Sequence, residues 1–143
     1  SALPDMEELS AEPHEVALEY AGALLQAVPP YASLFLAPDG MLNAEPAERA
    51  AETYARHGFE IRPEWRAGPA DHLGLELLFI AWRMQQGGTG WIEFLHYQVM
   101  PWALVCCLAV ERLPHAPWYA RVARLTRLTL LSLADEYDVE QSA

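Results

Sequence analysis

The sequence predicts an all-α fold, a compact bundle of about five or more helices, and three observations carry that expectation. Sustained apolar/polar alternation is missing, and Asp39-Gly40 is flanked by Ala-Pro and Met-Leu rather than by β-branched runs. Apolar residues recur instead at helical spacing. Proline and glycine then cut the periodic stretches into segments joined by short connections.

The first helix is expected from about Glu12 to Ala27, with Val16, Tyr20, Ala23, Leu24 and Ala27 on one stripe and Glu12, Glu15 and Glu19 on the other. Pro29-Pro30 ends it, because proline cannot donate to the preceding turn. Residues 29–43 read as an irregular loop carrying Tyr31, Leu34, Phe35 and Leu36 and the turn Pro38-Asp39-Gly40. A second helix should start near Pro46 and stop at Gly58, which suits a C-terminal cap. The third follows Pro69, with Asp71 in its first turn at the positive end of the dipole, and runs to about Gln86. Its leucines, with Phe79, Ile80, Ala81, Trp82 and Met84, leave almost no polar face, so it should be central and buried. The fourth covers about Thr89 to Leu113, where Pro101 should kink or split it. The fifth runs from about Pro117 to Ala134, followed by an acidic tail.

A chain of 143 residues fits one domain, residues 1–143. With 52% hydrophobic and 20% charged residues it can bury a core and lacks the signature of disorder. Twenty acidic residues face nine basic ones, all arginine, for a net charge of −11. That balance excludes general nucleic-acid binding, which needs cations to displace phosphate counterions, and disfavours anionic membrane surfaces. It favours partners that are cationic, or apolar with cationic flanks. Cys106 and Cys107 are adjacent and read as core residues, not a disulfide. The longest stretch without charge, Phe94 to Val110, holds Pro101 and falls short of the ~20 apolar residues of a membrane span, so no membrane insertion is expected. Cytoplasm is the expected compartment, and the initial Ser1 suggests a processed, tagged or truncated end.

Chemistry is sparse. His72 and Glu76, four apart on the third helix, could share a metal, but a ligand set needs three or four groups. Glu76 satisfied by His72 is the structural alternative. Arg121, Arg124 and Arg127 form a basic stripe that fits a solvated face or nearby acids. Gly87, Gly88 and Gly90 follow a helix and make a linker rather than a phosphate cradle. Two loops, 29–33 and 65–72, concentrate aromatic and small residues beside hydrogen-bonding groups, as a peptide groove requires.

Pro-Pro-Tyr-Ala-Ser at 29–33, Tyr54 through Gly58-Phe59, Pro69-Ala70-Asp71-His72-Leu73 with Glu76-Leu77, Met100-Pro101-Trp102, and Pro117-Trp118-Tyr119 with Leu125-Thr126 together resemble the TorD/DmsD/NarJ family. The resemblance runs from about Tyr20 to Leu133, and its most specific element is the Pro-x-Asp-His-Leu start of the third helix. It implies an all-helical, non-enzymatic cytoplasmic chaperone that binds the twin-arginine leader, and the apo form, of a molybdenum-containing oxidoreductase before export. Tyr31, Ser33, Pro69, Asp71, His72 and Leu73 match the family's two binding segments. Asp71 would meet the arginines, with Phe35 and Trp65 adding apolar surface. No nucleotide or molybdenum-cofactor motif is present, so no cofactor is implied. The family usually carries several more helices ahead of the equivalent of Tyr20, so the sequence is either a short form or omits segments; a bundle lacking those helices would expose an apolar face, which leaves a homo-oligomer, domain exchange or missing residues as alternatives. The competing classes are a small helical metal enzyme built on His72 and Glu76, and a helical oligomerisation module.

Overall fold

A computed structural model describes residues 11–37, 39–42, 44–63 and 68–139 of the protein. Among the described residues there are six helices and no sheet, as the periodicity predicts. They are α1 (Pro13–Tyr20, continued by π-helical turns over Ala21–Ala27), α2 (Ala32–Leu36), α3 (Glu45–His57), α4 (Leu73–Gln85), α5 (Trp91–Glu111) and α6 (Pro117–Glu136). α2 is a correction, since those residues read as irregular loop. Five residues between Pro30 and the Asp39-Gly40 turn are too few to show a period. Pro38 of that turn lies outside the described residues, while Gly40 takes a left-handed φ of 64°.

The chain forms two compact units: the described part of Ser1–Pro29 with Ala103–Glu136, and Pro30–Trp102 with residues 137–139. α5 supplies residues to both. It is not split at Pro101. A π-helical stretch, Phe94–Val99, widens the turn immediately before the proline, where a regular helix would press the ring against the preceding carbonyls. The continuous helix has 21 residues and is long and apolar enough to cross a membrane by length and composition. Its Trp91, Phe94, Leu95, Val99, Trp102, Ala103, Cys106, Cys107 and Val110 are buried, while Tyr97, Val105 and Leu108 are exposed.

In the first unit Glu19 Oε1 accepts from the backbone N–H groups of Trp118 (2.9 Å) and Tyr119 (3.3 Å). A distant carboxylate thus satisfies two orphan donors at the start of α6. Arg127 grips Glu111 through Nε (2.7 Å) and Nη2 (2.9 Å), so one arginine of the basic stripe answers a nearby acid. Cys106 and Cys107 are free and buried, and burial pushes their thiols up to about 12 and about 11. They behave as small core residues.

The second unit packs around Phe79 of α4. Its ring lies 4.8 Å from Phe94, 5.4 Å from Tyr54 and 5.6 Å from Phe59, and Phe59 reaches Trp82 at 5.2 Å. Each such pair adds about 0.5–1.5 kcal/mol beyond its buried area. α4 is not buried all round as its composition suggests. Leu75, Glu76, Phe79 and Ile80 face inward, while Leu78 stands 40% exposed. α3 ends as expected on Gly58 at φ 74°, which lets Phe59 N–H reach Tyr54 O at 2.8 Å.

Candidate functional site

The loop before α2 and the loop before α4 are tied together by a short antiparallel bridge between Tyr31 and His72. Ala32 N–H donates to Asp71 O (3.1 Å) and Leu73 N–H to Pro30 O (2.9 Å). Beneath the bridge, Asp71 Oδ2 accepts from both the N–H and the hydroxyl of Ser33, each at 2.6 Å. The hydroxyl oxygen in turn accepts from Ala44 N–H at 3.1 Å, which fixes the approach to α3. Ser33 and Asp71 are fully buried, and Asp71 Oδ1 has no hydrogen-bond partner among the described residues. Above them the Tyr31 and His72 rings form a T-shaped pair, 84° between planes and centroids 5.0 Å apart.

His72 is the N-cap of α4, in extended conformation (φ −63°, ψ 133°), and its Nδ1 accepts from Gly74 N–H at 2.9 Å. Burial lowers its pKa, against the opposing pull of Asp71. The neutral ring is the form that can accept at Nδ1, so the lowered pKa and the cap agree.

Glu76 is buried one turn further along α4, and Trp102 Nε1 of α5 donates to its Oε1 at 3.0 Å. Burial raises its pKa well above the ordinary value. The Trp102 hydrogen bond opposes this, Asp71 reinforces it, and Gln98 opposes it more weakly. A carboxyl whose pKa is raised by folding contributes stability below its unfolded value of about 4.5 and loses it as pH rises through the folded value. Glu76→Gln keeps an oxygen for the indole and removes the titration. In urea melts the variant should exceed the parent by about 1 kcal/mol or more at pH 8, and the two should converge near pH 4. A constant difference across that range would contradict a neutral buried Glu76.

Tyr31, Ser33, Asp71, His72 and Leu73 of the expected site therefore meet around one bridge. Pro69 precedes it on the same loop, half-buried, and Ala70 O accepts from Tyr54 Oη at 2.8 Å. Phe35 turns toward the core side of α2, its ring 5.6 Å from Trp102. Trp65 lies outside the described residues. Two local expectations are corrected. Asp71 is not in the first turn of α4 but two residues before it, buried under the bridge. Glu76 is not satisfied by His72, because the cap residue's extended backbone breaks the i, i+4 relation and the two side chains bond elsewhere. Among the described residues no group of three His, Cys, Asp or Glu is placed to hold a metal. Trp102 and Gln98 were missed as supports of the site. The signal for them was Glu76, a lone acid in an otherwise apolar stretch that needed buried donors.

The fold and this loop pair define an all-helical protein whose most organised polar region, among the described residues, is a joint between two loops. Residues 2–107 match the family model described as nitrate reductase delta subunit, well over half of the chain, and the protein belongs to that TorD/NarJ family. The chaperone protein TorD of Psychrobacter sp. (strain PRwf-1) is 40% identical over 67 residues, covering 44% of this chain and 30% of that protein. TorD of Vibrio vulnificus (strain YJ016) is 41% identical over 51 residues, 36% of this chain and 23% of the relative. TorD of Vibrio parahaemolyticus is 27% identical over 108 residues, 67% of this chain and 50% of the relative. The matched segments thus span from about a quarter to a half of these relatives. No solved structure matches the chain.

Proposed function

We propose that this protein is a cytoplasmic assembly chaperone, without enzymatic activity, that binds the twin-arginine leader of a molybdenum-containing oxidoreductase and assists the apo-enzyme before export. Family membership supports the maturation role. The observation that carries the leader-binding reading is the Tyr31–His72 bridge, which presents half-exposed Tyr31, His72 and Leu73 as one surface above a buried polar anchor. In this reading the Tyr31 ring face receives an arginine, an arrangement worth about 0.5–2 kcal/mol, and Leu73 meets the leader's apolar stretch. Asp71 and Ser33 act as positioning residues that hold the surface in shape. Neutral His72 leaves the arginines unopposed, and a net charge of −11 draws them in.

Titrating a synthetic twin-arginine leader by calorimetry tests this. Tyr31→Ala should weaken binding roughly tenfold, about 1.4 kcal/mol, and added salt should weaken it further. Absence of binding, or affinity indifferent to both Tyr31→Ala and His72→Ala, would overturn the reading.

A further inference from the structure

α2 touches the surroundings of two carboxyl groups that are both fully buried, Asp71 and Glu76. Its Ser33 is bonded to Asp71 through N–H and hydroxyl, and its Phe35 packs against Trp102, the donor to Glu76. Five residues cannot sustain a helix alone. What holds α2 in place is these two attachments and the Tyr31–His72 bridge at its N-terminal end. An element held by so few contacts can open locally, before the rest of a fold gives way.

The buried carboxyls are incompletely satisfied while α2 is seated. Asp71 Oδ1 and Glu76 Oε2 have no hydrogen-bond partner among the described residues, so each would gain one on meeting water. The titratable groups that act on Glu76 are Asp71, from the loop ahead of α4, and Tyr54 of α3, whose hydroxyl donates to Ala70 O. Burial raises Tyr54 far above its ordinary value, so it stays neutral. α5 contributes the indole of Trp102 and the amide of Gln98, and none of these groups is a cation. Nothing among them would hold Glu76 ionised under cover.

We propose that α2 is a proton-linked lid: while it is seated Glu76 holds its proton, and when it lifts, breaking the bridge and withdrawing Ser33 and Phe35, water reaches both carboxyls and the Glu76 proton passes to solvent. Acid seats the lid and alkali opens it. The pKa of Glu76 is raised in the seated state, so its contribution is complete below the ordinary 4.5 and is lost as pH climbs toward the seated value. His72 works in the opposite sense. Its pKa is lowered in the seated state, so on opening it takes up a proton below its ordinary 6.5, and from about pH 7 upward Glu76 governs alone.

The test follows amide hydrogen exchange in the full chain by NMR, between about pH 7 and pH 8.5. After correction for the chemical rate of an open amide, opening at Ala32, Ser33 and Leu73 should grow about tenfold per pH unit, one proton per opening. In Glu76→Gln, which has no proton to release, it should stay flat. Dilute urea should not speed these three amides, whereas Phe79 and Ile80 of α4 exchange through the unfolding that urea promotes. Phe35→Ala, which frees α2 from Trp102, should raise opening at every pH and keep the tenfold slope. A flat profile in the parent, the same slope in Glu76→Gln, or exchange at Ala32, Ser33 and Leu73 no faster than at Phe79 and Ile80 overturns the inference. So does opening unchanged by Phe35→Ala, since α2 would then not be held through Trp102. No leader is present in the measurement, so its outcome is independent of leader binding.

Discussion

Trp102→Ala is expected to destabilise the protein by about 3–5 kcal/mol, the usual cost of truncating a buried tryptophan. Against a total stability of about 5–15 kcal/mol, that brings the chain near unfolding at ordinary temperature. Two losses combine. Trp102 is 1% exposed and packs against Phe35, so its removal opens a cavity between α2 and α5. Its indole N–H is also the donor to Glu76 Oε1, and without it a fully buried carboxyl loses that hydrogen bond. Trp102→Phe separates the two, since a phenyl ring retains much of the packing and lacks the N–H. It should cost about 1–3 kcal/mol. Glu76→Leu introduced beside Trp102→Phe should recover part of that loss, because the unpaired polar group is then gone. Urea midpoints at constant m measure all three. If Trp102→Phe matches the parent, the Glu76 hydrogen bond contributes nothing to stability.

Asp71→Ala is the second large effect, about 2–6 kcal/mol. It strands two fully buried donors of Ser33, the N–H and the hydroxyl, at about 1–3 kcal/mol each. The loss should also reach the proposed leader surface, because Oδ2 anchors the backbone beneath Tyr31. Asp71→Asn distinguishes positioning from contact. An amide oxygen in the place of Oδ2 still accepts both Ser33 donors, while the negative charge that a bound arginine would need is gone. If Asp71 positions, Asn at 71 retains most of the stability and the leader affinity. If affinity collapses with Asn while the urea midpoint holds, Asp71 touches the arginine directly and the loop must open to admit it.

The helices were legible because period and punctuation agreed in each. Pro46 and Gly58 bracket α3 and Pro117 begins α6, where missing donors and left-handed caps belong. The two segments that meet at the Tyr31–His72 bridge also stood out, as aromatic and small residues that no helical stripe accounts for. Other features were not. α2 is a single turn and a half inside a loop, below the length at which a period can be seen. Pro101 reads as a break, and only the π-helical turns ahead of it explain an uninterrupted α5.

What the sequence determined by itself is therefore the class of fold and the acidic field, since these follow from composition and local backbone preference. Tertiary structure alone decided what each polar side chain does. Asp71 reads as a carboxylate offered to arginine, yet it lies buried on Ser33, 38 residues away in the chain. His72 and Glu76 read as neighbours on one face, yet an extended cap turns one to Gly74 and the helix carries the other to Trp102. Local sequence sets backbone conformation over a turn or two, but a buried polar atom must find its partner wherever packing brings a donor or acceptor within 3 Å or so. Those partners are distant in sequence, and only the packed chain selects them.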